Sequence, residues 1–307
     1  MAENKNWVLI LNPIAGNGFV KKYEDTIKEK LNEFGVNADL VYTQKKGHAS
    51  QIAEEYAKKG YKNIISVGGD GTLNEVVRPL VNNKDVIVGI IPAGTGNDFI
   101  QILGFPNRFE EEHWGIFFQQ NTKDLDVGTC NGNYFLNGMG LGFDAEVAAQ
   151  NYEGEDMVKK GGKDKYIRHI LKTLLFFKEK RMKFLSDNGN GYTDCFINTT
   201  SIGRRFAGGF FLTPEAIAND GLLDVCSIEK LSLFQRFKLL PMVPKGTHIK
   251  DKNVSYYKTA NLDLQFSEKV PYHLDGELFF DQKFDIGILP GALRMIYNPQ
   301  GPHYFKL

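Results

Sequence analysis

The chain has 307 residues, 42% hydrophobic and 12% aromatic, which is enough apolar material for two folded domains and excludes wholesale disorder. Its 37 basic and 37 acidic side chains cancel to a formal charge of zero, so the overall charge gives no attraction to nucleic acid. Apolar runs fall short of the roughly 18 residues that cross a bilayer, which predicts a cytoplasmic protein, soluble or at most peripheral to a membrane.

The first hundred residues alternate between strand and helix patterns. Continuous apolar runs indicate buried strands, and apolar positions at helical spacing, often followed by glycine, indicate helices. In chain order we predict strand 7–11, helix 23–34, strand 38–43, helix 48–59, strand 63–67, helix 72–81 and strand 86–91. Strands that alternate with helices pair in parallel through right-handed crossovers. The sequence therefore predicts an α/β domain with a parallel sheet over residues 1–124.

Short strand-like stretches separated by turn dipeptides dominate after residue 124. Predicted strands are 126–130, 134–137, 192–201, 223–228, 261–266, 278–280, 284–289 and 293–297. They favour an antiparallel β-sandwich over residues 125–289, with a tail of about 290–307 packing back on the first domain. One basic amphipathic helix, 164–178, interrupts the series. Cys130, Cys195 and Cys226 lack metal-type spacing and are expected to be buried, reduced thiols.

Four predicted strands of the first domain end in loops that suit a ligand. They are Asn12-Pro-Ile-Ala-Gly16, Thr43 with Gly47-His48, Gly68-Gly-Asp-Gly-Thr72 and Gly94-Thr-Gly-Asn-Asp98. Because the carboxyl ends of parallel strands meet at one edge, where open α/β sheets bind ligands, we expect these loops side by side. Glycines let backbone N–H groups approach an anion, and the start of the next helix favours phosphate. Neither Gly-x-Gly-x-x-Gly nor a P-loop pattern occurs.

Asp70 stands within the third of these loops, where its carboxylate would repel a phosphate. A divalent cation between the two reverses the sign of that interaction, and Mg²⁺ prefers one or two carboxylates with phosphate oxygens and water. The alternative is that Asp70 only caps the helix that begins at Thr72. We favour the metal interpretation, because a cap leaves the surrounding glycines unexplained.

Several motifs resemble those of the diacylglycerol kinase catalytic-domain superfamily, which includes bacterial soluble lipid kinases and sphingosine kinases. They are Asn12-Pro13 with Gly16, GGDGTLNEVV from Gly68, PAGTGNDF from Pro92, GLGFDA from Gly140, AGGFFLTPEAIANDGLLD from Ala207, HLDGE from His273 and LPGALRMI near the C-terminus. Gly-Gly-Asp-Gly-Thr is shared with NAD kinases and resembles a phosphofructokinase loop. Asn74-Glu75 directly after it is specific to the lipid kinases. The resemblance covers nearly the whole chain.

The resemblance implies an NAD-kinase- or phosphofructokinase-like nucleotide domain and a lipid-substrate domain. ATP would be the phosphoryl donor, with Mg²⁺ as cofactor. The ATP site would be formed by Asn12, Pro13, Ile14, Ala15, Gly16, Thr43, Gly69, Asp70, Gly71, Thr72, Leu73, Asn74, Glu75 and Thr95. Asp70 and Asp98 would belong to a water–Mg²⁺ network around the phosphates.

The second domain would supply the general base, which the resemblance assigns to Glu277 with Asp275 beside it. From the residues alone, Asp275 and Glu277 lie on one face if the chain is extended, but Asp275-Gly276 is equally a turn signal. A further, structural Mg²⁺ is implied at Asp220 with the backbone carbonyls of Ile217 and Leu222.

Two positions depart from the family pattern. Asn17 stands where many members have lysine, and Ala207 replaces the first glycine of a Gly-Gly-Gly stretch. The first departure leaves open which cation meets the phosphates: Lys21, Lys22 or one of the lysines from Lys159 to Lys165.

The resemblance points to transfer of phosphate from ATP to diacylglycerol. A sphingoid base, phosphatidylglycerol or NAD as acceptor, and a non-enzymatic nucleotide- or lipid-binding module, are the alternatives. Between Lys159 and Lys183 ten basic residues face only Asp164 and Glu179, a local charge of +8. Such a helix would dock on anionic lipid or be a solvated face, and its apolar stripe would equally serve as domain core. A homodimer is left open.

Overall fold

The computed structural model describes residues 6–150, 152–153, 158–159 and 163–306. The chain divides into two compact units. Unit 1 holds the chain up to Val127, Ile217–Gly221 and the residues from Leu289 onward, whereas unit 2 holds Gly128–Ala216 and Leu222–Ile288. The division lies within a few residues of the predicted boundaries at 124 and 289. The short segment Ile217–Gly221 belongs to unit 1 and had no signal in the sequence.

Unit 1 is the predicted α/β domain. Its strands are β1 (Trp7–Leu11), β2 (Ala38–Tyr42), β3 (Asn63–Gly68), β4 (Ile87–Pro92) and the start of β5 (Thr122–Cys130). Its helices are α1 (Ala15–Glu33), α2 (His48–Lys58), α3 (Asp70–Val77) and α4 (Glu111–Phe118), with 3₁₀ turns at Arg78–Leu80 and Phe99–Gln101. The sheet order is β2-β1-β3-β4 with all neighbours parallel, which confirms the predicted fold class. The end of β15 (Glu277–Ile296) lies beside β4, where Met295 pairs with Val88.

The core of unit 1 explains why β1 is a continuous apolar run and why β3 is largely apolar, with Asn63 and Ser66 buried among its apolar residues. Every residue of both strands is buried, as expected for parallel strands covered on both faces. Helix α1 buries Val20, Ile27 and Leu31, and α4 buries Trp114 and Phe117. These positions recur at helical spacing, so one apolar stripe of each helix faces the core.

The start of α1 differs from the prediction, which placed the helix at residues 23–34. The helix is assigned from Ala15, but Gly16, Asn17 and Gly18 have φ values of 59°, 56° and 85°. Left-handed backbone interrupts the regular helix there. The loop after β1 therefore turns sharply before the helix runs on.

Unit 2 is an antiparallel β domain whose described residues include three helices. Its strands after β5 are β6 (Asn133–Phe135), β7 (Gly138–Gly142), β8 (Tyr152–Glu153), β9 (Val158–Lys159), β10 (Lys180–Ser186), β11 (Gly189–Ser201), β12 (Leu223–Glu229), β13 (Val254–Thr259), β14 (Asn261–Leu274) and most of β15. Its helices are α5 (Phe143–Ala149), α6 (Lys163–Phe176) and α7 (Leu233–Leu239), with 3₁₀ segments at Leu240–Lys245 and Thr247–Lys250.

Two long strands give unit 2 its layers. The first halves of β11 and β14 both pair with β10, and their second halves both pair with β7. Both strands are irregular midway, between Cys195 and Ile197 in β11 and between Gln265 and Val270 in β14. Bulges of this kind bend a strand and let it serve two layers. The predicted sandwich is thereby confirmed.

Several predicted boundaries in unit 2 are wrong. The three strands expected at 278–280, 284–289 and 293–297 form the single strand β15. The intervening Pro290-Gly291 resembled a turn, but β15 remains extended because it pairs with β14 up to Gly287 and with β4 at Met295. Strands β7, β10 and β13 and helices α5 and α7 were not predicted. They are short, and their apolar patterns are too brief to stand out.

The three helices of unit 2 pack on one apolar cluster. It includes Phe143 of α5, Leu174 of α6, Leu239 of α7 and Phe196 of β11. The apolar stripe of α6 is therefore partly domain core. Within the described residues, no helix is long and apolar enough to span a bilayer. Cys130, Cys195 and Cys226 are buried and free, as predicted, and burial raises the pKa of the Cys130 thiol to about 12.

Candidate functional site

The predicted loops of unit 1 emerge next to one another. Leu11, the last residue of β1, is paired with Tyr42 on one side and with Val67 on the other. On the next strand pair, Gly68 is level with Pro92. Because these strands are parallel and in step, the loops that follow them lie along the same edge of the sheet, as the sequence predicts.

The two glycine loops after β3 and β4 are held in backbone contact. The N–H groups of Ala93 and Gly94 both donate to the carbonyl of Gly68, at 2.8 and 3.1 Å. A Cβ on Gly94 would lie 2.4 Å from the Cα of Gly69, closer than real Cβ atoms come. Glycine at these positions therefore allows the two loops to lie in contact, with their backbone groups side by side.

Asp70 joins the same two loops through its side chain. Its Oδ2 accepts a hydrogen bond from the N–H of Asp98 at 3.0 Å, and its Oδ1 accepts from the N–H of Phe99 at 3.1 Å. These N–H groups open the 3₁₀ turn Phe99–Gln101, so Asp70 caps that turn. The alternative that Asp70 caps its own helix is wrong: α3 begins at Asp70, its N-cap is Gly69, and it has no side-chain cap.

The loop after β1 is tied to the helix after β3. Asn12 donates from Nδ2 to Oγ1 of Thr72 at 3.0 Å, and its Oδ1 accepts from the N–H of Ile14 at 3.2 Å. Gly16 is required by close approach, since a Cβ there would lie 2.3 Å from the carbonyl oxygen of Ala93. The loops after β1, β3 and β4 thus form one connected group. Thr43, after β2, is linked to β1 by its N–H, which donates to the carbonyl of Leu11 at 2.9 Å.

The remaining predicted ATP-site residues differ in accessibility. Leu73 is fully buried and Asn74 nearly so, with Asn74 Oδ1 accepting from Nε of Arg78. The carboxylate of Glu75 accepts from the N–H of Ala49 at 3.3 Å, close to the start of α2. Thr95 is exposed. The side chain of Thr95 is therefore open to solvent, whereas Leu73 supports the loop from inside.

Arg108 is a cation near these loops that the sequence reasoning missed. Its guanidinium donates to the carbonyls of Pro92 and Gly94, at 3.2 and 2.6 Å, and lies over the ring of Phe19 at 4.6 Å. Lys21 and Lys22 are exposed. The side chains of the predicted alternatives from Lys159 to Lys165 lie outside the described residues. No sequence motif identifies Arg108. It follows Asp98 by ten residues, and the chain between them returns it to the loop after β4.

In unit 2, Asp275 anchors a tight turn. Its carboxylate accepts hydrogen bonds from the N–H groups of Leu136, Asn137 and Gly138, at 2.7, 2.9 and 2.9 Å. Asp275 and Gly276 have φ values of 48° and 82° and form the two-residue turn between β14 and β15. The turn interpretation is confirmed. The expectation that an extended chain puts Asp275 and Glu277 on one face is wrong, because Asp275 is in the left-handed region.

Glu277 is the first residue of β15, directly after this turn, and is partly exposed. Two residues before the turn on β14, His273 lies with Nε2 3.4 Å from Oδ2 of Asp144. Gly140 makes room for that pair, since a Cβ there would lie 2.1 Å from the Asp144 carboxylate and 2.4 Å from the His273 ring. Sequence reasoning quoted both motifs but assigned no role to Asp144 or His273.

A second group of carboxylates lies in unit 1. Asp126 is 2% exposed and accepts hydrogen bonds from the N–H groups of Gly221 and Gly291, both at 2.7 Å. Burial raises the pKa of the Asp126 carboxyl, and the charge of Asp220 raises it further against the effect of those two hydrogen bonds. Asp126 and Asp220 both line an open hollow on unit 1. The predicted metal residues Ile217 and Asp220 lie in this unit, and Leu222 begins the next segment of unit 2.

Family models match both halves of the chain. Residues 6–130 match the diacylglycerol kinase catalytic domain. Residues 125–297, more than half of the chain, match the YegS C-terminal NAD kinase beta sandwich-like domain. The chain belongs to the diacylglycerol kinase-like family of lipid kinases. The predicted family and the prediction of a kinase are both confirmed.

Relatives of this lipid kinase cover nearly its whole length. It is 28% identical to the diacylglycerol kinase of Bacillus subtilis strain 168, over 94% of this chain and 93% of that one. It is also 28% identical to a protein of Salmonella arizonae assigned as the lipid kinase YegS, over 98% and 99% of the two chains. A Bacillus anthracis crystal structure assigned as a diacylglycerol kinase superposes with a TM-score of 0.80 at 28% identity, covering 97% of both chains.

Proposed function

We propose that this lipid kinase transfers the γ-phosphoryl group of ATP to the hydroxyl of diacylglycerol, giving phosphatidic acid. The observation that carries the proposal is the joined pair of glycine loops after β3 and β4. Asp70 fixes the two loops to each other, and the helix that follows begins at that same residue. Phosphoryl transfer depends on positioning and on charge neutralisation rather than on covalent chemistry. Two joined glycine loops at the start of a helix suit the positioning of a phosphate, because their backbone N–H groups can bind it.

The residues present suit Mg²⁺. Asp70 and Asp98 are hard oxygen donors on adjoining loops, the donor type that Mg²⁺ prefers next to phosphate. An ionised carboxylate offers about four lone-pair positions, so accepting two N–H bonds is compatible with meeting a hydrated cation. When bound, Mg²⁺ neutralises charge on the phosphates. Asp126 and Asp220 line one hollow and offer hard oxygen donors, which suits the second, structural ion there with the Ile217 and Leu222 carbonyls.

The protein groups have separate parts in the reaction. The backbone of Asn12–Gly16 and Gly69–Thr72 binds and orients the triphosphate, and Arg108 adds positive charge at the loop after β4. Glu277 accepts the proton of the acceptor hydroxyl as that oxygen attacks, an effect typically worth 10²- to 10⁴-fold. Asp275 acts as a positioning residue, because its carboxylate holds the turn from which Glu277 follows.

A cavity in unit 2 favours a lipid acceptor over NAD. It has a volume of about 320 Å³ and is lined by Phe177, Phe266 and Val270, with Lys172, Lys178 and Lys180 also at its wall. Apolar walls with a few charged groups suit an acyl chain attached to a polar head, whereas a dinucleotide needs mostly polar partners. Diacylglycerol is favoured among lipids because the Bacillus subtilis relative is named for it.

A kinase assay on a mixed lipid extract tests the acceptor. The enzyme is incubated with radiolabelled ATP, Mg²⁺ and bacterial lipids containing added diacylglycerol, sphingosine and phosphatidylglycerol, and the products are separated by thin-layer chromatography. We expect label in phosphatidic acid. Label confined to another lipid, or to NADP when NAD is supplied, would assign the enzyme to that acceptor instead.

Three variants test the assigned roles. Asp70→Asn, Asp98→Asn and Glu277→Gln should each lower kcat by at least about 100-fold. Glu54→Gln, which alters an exposed carboxylate paired with Lys58 on α2, is the matched control and should retain activity. Asp98→Asn keeps the backbone N–H that Asp70 binds, so it separates loss of charge from loss of the loop contact. Full activity in Glu277→Gln would remove Glu277 from the chemistry.

We also propose that the kinase works in the cytoplasm as a peripheral membrane protein. The positive segment from Lys159 to Lys183 supports this, because its cations attract anionic lipid. Arg168, Lys172 and Lys178 of that segment are exposed. The homodimer stays a prediction.

A further inference from the structure

We propose that α7 and α6 together form a membrane-docking surface that inserts exposed aromatic and leucine side chains into an anionic bilayer. The surface consists of Leu171, Leu175, Phe176, Leu233, Phe234 and Phe237, and we call it the α6–α7 surface. The proposal deepens the proposed function, because it assigns the bilayer contact of an enzyme whose acceptor is a lipid. The α7 part of this surface is absent from the sequence prediction.

The exposed side of α7 is apolar where a helix on a water-facing surface is ordinarily polar. Phe234 is 79% exposed, Leu233 50% and Phe237 47%. On the opposite side, Arg236 and Leu239 are buried against unit 2. One side of α7 therefore packs against the core of unit 2, and the other side exposes large apolar side chains. Phe234 in particular leaves most of its ring uncovered by the described residues of unit 2.

Helix α6 repeats this pattern and is fastened to α7. Phe176 is 74% exposed, Leu175 46% and Leu171 44%. The guanidinium of Arg236 on α7 donates to the carbonyl of Leu174 at the end of α6, at 2.7 Å. Arg236 also pairs with the buried carboxylate of Glu179 at 2.7 Å. The two helices are therefore held as one block, with apolar groups on the outer side of each.

Charge identifies an anionic bilayer as the occupant. Residues 230–250 hold four exposed lysines, Lys230, Lys238, Lys245 and Lys250, and no acidic residue, with Lys238 paired to Asp251 just beyond them. Arg168, Lys172 and Lys178 on and next to α6 add exposed positive charge. A short helix with apolar groups on one side and cations around them is the pattern of segments that lie in the membrane interface. A second copy that met this surface with its own α6–α7 surface would bring like charge, which disfavours such a symmetric contact.

The test is sedimentation of the full chain with vesicles, without ATP. One set contains phosphatidylcholine with about a third phosphatidylglycerol, and the other contains phosphatidylcholine alone. We expect binding to the anionic set that weakens as salt is raised, and at least tenfold weaker partitioning for the double variant Phe234→Gln with Phe237→Gln. The control double variant is Leu185→Gln with Tyr192→Gln, which alters side chains 49% and 61% exposed on β10 and β11 and should bind like the wild type. Thermal unfolding establishes that both variants are folded.

Each outcome decides the proposal. Unchanged binding of the Phe234 and Phe237 variant overturns it, as does equal loss in the control, since the effect would then not belong to this surface. A wild-type dimer that the Phe234 and Phe237 variant dissociates, with no vesicle binding by either, would assign the surface to a second copy. Kinase activity on a short-chain soluble diacylglycerol is measured in parallel. If that activity is absent while vesicle binding follows the prediction, the proposed function fails and the docking surface stands.

Discussion

Asp275→Asn is the substitution that best separates a positioning role from a chemical one. The carboxylate now accepts three backbone hydrogen bonds, one on Oδ2 from Leu136 and two on Oδ1 from Asn137 and Gly138. Asparagine keeps the shape but has one acceptor oxygen, and its NH₂ group would face an N–H donor. Either orientation of the amide therefore leaves at least one backbone N–H without an acceptor.

The cost follows from these three bonds. An unsatisfied N–H costs about 1–3 kcal/mol, and each remaining bond falls from a charged to a neutral one, a loss of about 1 kcal/mol. The site is partly exposed, so water replaces some of the loss, and we expect about 3 kcal/mol. For a unit of this size that corresponds to a melting temperature lower by roughly 6–12 °C.

Calorimetric melting and steady-state kinetics on the same preparation check this prediction. Asp281→Asn is the matched control on β15. That carboxylate accepts from the Asn131 side chain at 3.1 Å and from the N–H of Gln282 at 2.7 Å, both where water can replace them, so the substitution should cost under about 0.5 kcal/mol. An Asp275→Asn enzyme that melts like the wild type but loses about 100-fold in kcat would refute the positioning argument. It would place Asp275 in the chemistry.

Two further substitutions probe other parts of the structure. Gly94→Ala should abolish ATP binding measured by calorimetry, because its Cβ would lie 2.4 Å from Gly69 and separate the two loops. Gly115→Ala on α4 is the control and should bind ATP like the wild type, because the nearest atom to its Cβ would be 3.8 Å away. Equal ATP affinity in the two variants would contradict this prediction. His248 is fully buried, burial lowers its pKa, and its Nε2 lies 3.2 Å from the Leu212 carbonyl. Since the unfolded chain then binds a proton that the folded chain does not, stability should fall as the pH drops below about 6.5, and His248→Gln should flatten that slope by up to about 1.4 kcal/mol per pH unit in urea titrations at pH 5 and 7.

The parallel half of the fold was predictable because its signals are local and strong. Strands covered on both faces favour apolar residues: β1 is an unbroken apolar run and β3 is largely apolar, and both patterns are visible in a single sequence. Glycine clusters at the strand ends follow from the close approach of Gly69 to Gly94. Strand order then places the loops together without any knowledge of their contacts.

The antiparallel half was less predictable because its strands are defined by distant partners. Strand β7 has five residues, three of them glycine, and lacks the alternation of apolar and polar residues that predicts a strand. It exists because β11 and β14 pair with it from both sides. In the same way, no motif marks Asp126. Its hydrogen-bond donors are the N–H groups of Gly221 and Gly291, which lie 95 and 165 residues away in the chain.

Asp70 shows how a sequence argument reaches the right residue through an incomplete reason. A carboxylate in a loop predicted to bind phosphate is puzzling if its only effect is to repel the ligand, and a cation resolves the puzzle. The structure supplies a second reason: Asp70 accepts the N–H groups of Asp98 and Phe99 and so fixes the distance between two loops. Those N–H bonds already compensate part of its charge before any metal binds. The two hydrogen bonds between the loops are therefore a sufficient reason for aspartate at position 70. Support for a bound metal ion comes instead from the phosphates that ATP would bring and from the carboxylate of Asp98.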